Sequence, residues 1–108
     1  MLKKKYRLPA NIRMKRARKI SSKYFFLNTE NNGLSCSRFA FVISKKVDKR
    51  AVVRNRIKRK LTEIININLE KIKIGMDMIF ILRKEAALDI PGLCETAKDV
   101  LKKEGILA

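Results

Sequence analysis

The chain has 108 residues, of which 46% are hydrophobic and 34% are charged, and its net charge is +17. This length predicts one domain with a single modest core, and no apolar run approaches the ~20 residues of a membrane span. Residues 1–60 contain 20 Lys and Arg against two acidic residues, whereas residues 61–108 contain 7 against 8. The first part is therefore predicted to bind a polyanion, and the second to be scaffold.

Cysteine and histidine content excludes several classes of protein. Cys36 and Cys94 lack CxxC spacing and the chain contains no His, so the usual zinc ligands are missing. Two free thiols in a reducing cytosol are expected. The N-terminus is positive but lacks the apolar stretch of a secretory signal. A mitochondrial transit peptide is less favoured, because the basic character continues into the patterned region. We expect a cytoplasmic protein.

The N-terminal third predicts short elements. Residues 1–8 form a basic arm, mobile over residues 1–7, and Asn11 is a candidate cap for a short basic helix over residues 12–18. Residues 19–22 and 24–29 are predicted strands. Residues 30–33 are a turn, in which Asn32-Gly33 is a hairpin signal. Residues 38–44 form the next strand.

Two of these strands alternate in the size of their side chains. In residues 38–44 the large side chains predict a core face, and the small ones predict an open floor or groove; the large set is Phe39, Phe41 and Ile43, and the small set is Ala40, Val42 and Ser44. In residues 24–29, Phe25 and Leu27 share one side, opposite Tyr24, Phe26 and Asn28. Exposed aromatic rings on a strand can stack on bases. Coverage of Phe26 by a helix is an equally open alternative.

The remaining elements are longer. A helix is predicted over residues 49–74, with Asp48 as N-cap and Gly75 as its stop. Residues 76–82 are a near-continuous apolar strand, typical of a central position. Residues 89–91 begin a last helix that ends at Gly105, and its buried stripe contains Leu93, Ala97, Val100 and Leu101.

Residues 45–60 contain nine Lys or Arg in sixteen positions. Apolar residues recur at helical spacing and predict a buried face, and they are Val53, Ile57, Leu61 and Ile64. The other faces carry polar pairs at i,i+4, and like charges at this spacing cost a few tenths of a kcal/mol each. Such a cluster favours a nucleic acid as partner. Asn55 could read a base edge, but a hydrogen bond to a neighbouring loop is the favoured interpretation.

These residues carry a resemblance to a known family. The segments SKK at residues 44–46 and AVVRNRIKR at residues 51–59 resemble the signature of the bacterial ribonuclease P protein subunit, whose centre is Arg-Asn-Arg. The segment ILRK at residues 81–84 is similar to a family strand that ends in a basic pair. The resemblance covers about residues 20–104. It implies an α+β fold of order α-β-β-β-α-β-α, a two-layer sandwich with a left-handed βαβ crossover, as in the second domain of a small-subunit ribosomal protein.

The resemblance also implies two binding surfaces. The catalytic RNA subunit would be bound by Lys45, Lys49, Arg50, Arg54, Asn55, Arg56, Lys58 and Arg59. The single-stranded 5′ leader of precursor tRNA would lie in a cleft formed by Ile12, Arg16, Tyr24, Phe26, Asn28, Ala40, Val42, Ser44, Lys46, Arg83 and Lys84. The first family helix usually carries two aromatic residues, at the positions of Ile12 and Arg16 here. The nearby arginines would then supply charge in place of stacking.

Catalysis by the chain itself is not expected. Phosphodiester cleavage needs an acid–base pair or a metal site, and the chain has no His and only scattered carboxylates. We predict no catalytic or metal-binding residues. By resemblance the RNA subunit cleaves, Mg²⁺ binds through RNA, and the protein assists removal of the leader. The expected partners are the catalytic RNA and precursor tRNA, with no membrane and no protein partner. A ribosomal or ribosome-assembly protein is an alternative. A DNA-binding regulator is weaker, because no helix-turn-helix accompanies the basic helix.

Overall fold

A computed structural model describes residues 2–9 and 14–107. Its strands and helices are, in chain order, β1 (Arg18–Ser21), β2 (Phe25–Asn31), β3 (Arg38–Val42), α1 (Ala51–Ile67), β4 (Met76–Leu82), α2 (Glu85–Leu88) and α3 (Ile90–Lys103). Two 3-10 helical turns, at Lys4–Tyr6 and Leu69–Lys71, complete the set for the described residues.

The four strands form one sheet in the order β1-β2-β4-β3. β2 is antiparallel to both of its neighbours, whereas β3 and β4 are parallel. Parallel neighbours need a crossover connection, and α1 supplies it. The fold is α+β, as predicted, and contains the expected βαβ unit. The left-handed sense of the crossover stays a prediction.

The core lies between one face of the sheet and the helices. Phe25 and Phe80, on neighbouring strands, are fully buried, and their ring centres lie 5.3 Å apart. The predicted stripe of α3 is buried at Leu93, Ala97 and Leu101. Phe39 is buried as predicted, while Phe41 and Ile43 are half-buried. Strand alternation therefore identified the core face correctly.

The predicted hairpin between β2 and β3 is wrong, because β4 lies between these strands. The turn itself is present: Gly33 has φ +70°, and the Asn32 Oδ1 atom accepts a hydrogen bond from the Leu34 N–H at 2.7 Å. The Asn32 Nδ2 atom also donates to Asp77 Oδ1 at 2.9 Å, which ties the turn to β4. The apolar β4 gains burial by pairing on both sides, and this displaces the local pairing.

The predicted helix over residues 12–18 is wrong in its described part. Residues 10–13 lie outside the described residues, residues 14–17 are not helical, and Arg18 already belongs to β1. The N–H groups of Lys15 and Arg16 donate to the Glu30 Oε1 atom at 3.2 and 2.8 Å. A carboxylate therefore takes donors that a helix would use internally.

The predicted mobile arm packs on the sheet. Leu2 and Leu8 are buried, and the Leu8 N–H donates to the Phe39 carbonyl at 2.9 Å. Arg7 forms a parallel bridge with Phe39. The segment therefore covers the outer edge of β3, where backbone groups would otherwise be unpaired.

The bounds of α1 differ from the prediction, whereas the start of α3 agrees with it. α1 ends at Ile67, earlier than the predicted residue 74, and the Asn68 side chain donates to the Ile64 carbonyl at 2.8 Å. Asn side chains compete in this way with helical bonding. α3 begins as predicted, since Asp89 caps it by accepting the Gly92 N–H at 3.0 Å. The short α2 was not predicted.

Candidate nucleic-acid interface

The apolar side of α1 is anchored in the core. Ile57 and Leu61 are 0% and 1% exposed, and the same face also buries Val53, Thr62, Ile64 and Ile65. The buried face confirms the spacing prediction. Side chains on the other faces of α1 therefore project from a rigid support.

Side-chain hydrogen bonds fix the loop that leads into the N-terminus of α1. The Asp48 carboxylate accepts three hydrogen bonds from Arg50. The donors are the Arg50 backbone N, Nε and Nη2 atoms, at 2.8, 3.1 and 3.0 Å. The bonds with the Arg50 side chain and backbone lower the pKa of Asp48, and the Asp48 bond raises the pKa of Arg50. Arg54 Nη1 donates to the carbonyls of Asp48 and Lys49 at 3.0 and 2.9 Å. The N-cap is Arg50, two residues after the predicted Asp48.

The next polar residues of α1 are directed away from the protein. Asn55, Arg56, Lys58, Arg59 and Lys60 are exposed. In the part of the chain that the structure describes, none of these side chains forms an ion pair or a hydrogen bond. The hydrogen bond favoured for Asn55 is therefore not observed among these residues. Arg54 differs from the others, since it is half-buried and bonded to backbone.

A groove of about 1060 Å³ runs between the N-terminal segment, β3 and α1. Its apolar wall includes Leu2, Leu8, Pro9, Phe39, Phe41, Val52 and Ile79, and its polar wall includes Arg7, Asn55, Lys58, Arg59 and Thr62. Ala40 and Val42 also line it. The groove thus joins two residues of the predicted leader cleft to three of the predicted RNA-subunit surface. Arg7 and Val52 were missed, because only the packing of the N-terminal segment reveals their position.

The face of the sheet opposite the helices is partly open. The strand register aligns Phe26, Ile81 and Val42 in one row and Asn28, Ile79 and Ala40 in the next. Directly paired residues point to the same side, and Phe26 and Val42 are 42% and 48% exposed. Within residues 2–9 and 14–107, no helix therefore covers Phe26. Ile79 and Ile81 were missed as members of this strip, since an apolar strand predicts burial on both faces.

Basic residues lie at one end of the strip. The Arg83 guanidinium carbon is 5.1 Å from the centre of the Phe26 ring, within the range of cation–π contact. Arg83 Nη1 also donates to the Ser22 carbonyl at 3.2 Å. Ser44, Lys45, Lys46, Lys49 and Lys84 are exposed in the loops at this end. The pair at residues 83–84 therefore consists of one bonded and one exposed cation.

Tyr24 does not line the open face, contrary to its predicted place. It is 6% exposed, and its hydroxyl donates to Asp89 Oδ2 at 2.9 Å. The bond with Asp89 raises the pKa of Tyr24. The Gly92 N–H and the Tyr24 hydroxyl lower the pKa of Asp89. Tyr24 precedes β2, so the strict alternation of the strand does not extend to it, and its hydroxyl reaches the N-cap residue of α3.

Arg16 also lies away from the predicted cleft. It lines a cavity of about 250 Å³ with Arg18 and Ile20 of β1, and β1 and β3 are the two outer strands of the sheet. Arg16 is therefore separated from Ala40 and Val42 by the width of the sheet. Ile12, its predicted partner, lies outside the described residues.

Over residues 2–9 and 14–107, no group of three or more acidic or Cys side chains could hold a metal ion. None of the helices in the same part of the chain is long and apolar enough to cross a membrane. The described residues thus form an α+β protein with a basic helix anchored in the core, a groove beside this helix and an open strip of sheet. These features suit the protein to bind RNA.

Comparison with known proteins gives the family. The family model of ribonuclease P matches residues 2–105. The ribonuclease P protein component of Roseiflexus castenholzii is 31% identical over 112 residues, covering 98% of this chain and 91% of that protein. The protein from Alkaliphilus oremlandii is 39% identical over 69 residues, or 64% of this chain and 60% of that protein. Since the family model spans nearly the whole chain, the chain belongs to the ribonuclease P protein components.

Solved structures agree with this assignment. The RNase P protein of Staphylococcus aureus has a TM-score of 0.84 at 27% identity, covering 95% of this chain and 98% of that one. The protein of Thermotoga maritima has a TM-score of 0.73 at 28% identity, covering 82% and 84%. The chain is thus a protein subunit of an endoribonuclease ribonucleoprotein that processes tRNA. This family match decides against the ribosomal and DNA-binding alternatives.

Proposed function

We propose that this chain docks on the catalytic RNA of ribonuclease P in the cytoplasm and holds the 5′ leader of precursor tRNA while the RNA removes it. One observation carries the proposal. α1 is anchored by its buried face, and its exposed cations have no partners among the described residues. These cations border a groove that reaches the open face of the sheet. A surface of this kind can contact two RNA segments together.

The exposed side of α1 is the proposed contact for the catalytic RNA. Arg56, Lys58 and Arg59 are available for phosphates, because no described side chain neutralises them. Asn55, which lies between Arg54 and Arg56 in the sequence, is available to bond a base edge or a 2′-hydroxyl. Lys49 and Arg50 continue the surface on the loop, where Arg50 keeps its bonds to Asp48.

The open strip of the sheet is the proposed contact for the leader. Phe26 offers a ring face to a base, and Val42 and Ile81 extend the apolar floor. Base stacking on an aromatic ring tolerates any sequence, because every base has a π-face. Lys46, Arg83 and Lys84, at the end of the strip, suit the phosphates of the same strand. Mature tRNA lacks the leader, so this contact would distinguish precursor from product.

We infer that the chain supplies binding and the RNA supplies the chemistry. The described residues bring together no acid–base pair beside the groove, and Mg²⁺ would bind through phosphates of the RNA. The cations would lower the repulsion between two polyanionic RNAs that must approach closely. The protein would therefore matter most where Mg²⁺ is scarce.

Reconstitution tests this proposal. Single-turnover cleavage of precursor tRNA by the cognate RNA subunit is measured at low and high Mg²⁺, with and without the chain. We expect strong stimulation at low Mg²⁺ and little at high Mg²⁺. A variant with Lys102→Gln, which removes an exposed charge from α3, serves as the control and should stimulate normally. If the intact chain gives no stimulation at any concentration, the proposal is wrong.

A further inference from the structure

A second polar cavity lies beside β1, at the opposite edge of the sheet from the groove. Its volume is about 250 Å³, and its polar wall consists of Arg16, Arg18, Thr29, Asn31, Lys73 and Glu104. These residues come from four separate segments of the chain. The cavity shares no lining residue with the groove, so the site proposed above does not account for it.

Positive charge exceeds negative charge in this cavity. Arg18 Nη2 lies 2.7 Å from Glu104 Oε1, so this ion pair is balanced. Arg16 and Lys73 have no such pair: within the described ranges their side chains form no ion pair or hydrogen bond. Both residues therefore add uncompensated positive charge to the wall of the cavity. An anion bound there would be attracted to both of them.

Hydrogen bonds fix the backbone from which both cationic side chains extend. The Arg16 N–H donates to Glu30 Oε1 at 2.8 Å. The Lys73 N–H donates to the Ile106 carbonyl at 2.7 Å, and the Lys73 carbonyl accepts the Ser37 hydroxyl at 2.6 Å. The two side chains therefore start from fixed points, which lowers the entropic cost of binding.

Thr29 adds a neutral donor to the wall. It is 4% exposed, it lines the cavity, and its hydroxyl forms no hydrogen bond within the part of the chain that the structure describes. This hydroxyl is therefore available as a donor at the wall of the cavity. The neighbouring Asn31 amide could supply a further donor. An oxygen-rich anion would satisfy both.

We propose that this cavity binds a phosphate group of an RNA backbone. Arg16 and Lys73 neutralise the phosphate, Thr29 and Asn31 donate to its oxygens, and Glu104 holds Arg18 at the rim. The Glu104 carboxylate opposes an anion, and its pairing with Arg18 offsets this effect. The protein would then contact RNA at both edges of its sheet and could join two RNA segments.

Titration of the full-length chain with inorganic phosphate, followed by amide NMR, tests the binding chemistry. We expect saturable shifts at Arg16, Thr29 and Lys73. Arg16→Gln and Lys73→Gln should each weaken binding about tenfold, as for loss of a charge-assisted hydrogen bond. Thr29→Val, which keeps the shape, should weaken it by less. Lys102→Gln removes the same charge outside the cavity and should change nothing. Shifts that do not saturate, or an equal effect of Lys102→Gln, would overturn the site.

Salt dependence of binding to the RNA subunit identifies the source of the phosphate. Arg16→Gln combined with Lys73→Gln should reduce the slope of log affinity against log salt by about 1, the value for one lost phosphate contact. Saturable phosphate binding with an unchanged RNA slope would overturn the assignment to an RNA backbone. The phosphate titration does not depend on cleavage, so its result stands apart from the reconstitution test above.

Discussion

The basic residues beside the two outer strands of the sheet are held in position in different ways. Beside β3, the cations stand on α1, whose opposite face is buried in the core. Beside β1, Arg16 and Arg18 stand on an irregular segment and a short edge strand, held by contacts with Glu30 and Glu104. Core packing fixes the first group and a few polar bonds fix the second. The two edges should therefore respond differently to mutation.

Removal of the core anchor of α1 should have the largest effect. Ile57→Ala creates a cavity at a side chain that is 0% exposed, so we expect the free energy of unfolding to fall by about 2–5 kcal/mol. Thermal denaturation measures the change. Ile67→Ala, at an exposed position of the same helix, should change it by less than about 0.5 kcal/mol. Similar values for the two variants would contradict the assigned orientation of α1.

Exposed arginines of α1 should affect RNA binding without affecting folding. In Arg56→Ala combined with Arg59→Ala, we expect the slope of log affinity against log salt to fall by about 2, because each phosphate contact contributes roughly 0.9. Filter binding of the RNA subunit over a salt series measures the slope. Unchanged affinity in this double variant would show that the RNA docks elsewhere, and would remove the functional contrast between the edges.

Phe26→Ala should weaken binding of precursor tRNA and leave mature tRNA nearly unchanged. Loss of one base–aromatic stack costs about 1–3 kcal/mol, or roughly 5- to 150-fold in affinity. Leu34→Ala is the matched control, because Leu34 is similarly exposed, at 48%, but lies outside the strip. Affinities of the holoenzyme for both RNAs provide the measurement. Equal losses for precursor and mature tRNA would show that Phe26 does not contact the leader.

Arg54→Ala should mainly lower the stability of the protein and have a smaller direct effect on RNA binding. Both Nη1 hydrogens of Arg54 are directed at the carbonyls of Asp48 and Lys49, so we expect unfolding free energy to fall by about 1–2 kcal/mol. The salt slope for RNA binding should fall by less than in Arg56→Ala, whose own stability should be unchanged. Parallel denaturation and salt series compare the two. An equal slope change with unaltered stability would make Arg54 a direct phosphate contact.

Sequence patterns predicted the β3 edge better than the β1 edge, for a physical reason. The spacing of Ile57 and Leu61 predicts a buried helix face because burial of a whole face dominates local energetics. The segment at Arg16 has no comparable apolar periodicity, and its structure depends on the distant Glu30. A bond between residues 14 positions apart leaves no local pattern. The predicted helix there was consequently wrong.

Only the parts of the candidate site that lie in regular strands or in the family signature could be predicted from the sequence. Alternation correctly placed Phe26 and Val42 on the open face of the sheet, since both lie inside regular strands. It failed at Tyr24, which precedes β2 and bonds to Asp89, 65 residues away. The groove depends on Leu2 and Leu8 packing beside β3, and a short basic arm gives no sign of this. Long-range contacts therefore account for what the sequence did not predict.

The smallest effect should come from the acid that holds the segment beside β1. Glu30→Ala removes the acceptor of the Lys15 and Arg16 N–H groups, so their amide exchange should accelerate while overall stability changes by less than about 0.5 kcal/mol. Glu70→Ala, at an exposed acid far from this segment in the sequence, should leave this exchange unaltered. Hydrogen exchange by NMR measures both. A loss of stability approaching that of Ile57→Ala would mean that Glu30 supports the whole fold, and the contrast between the two edges would then be wrong.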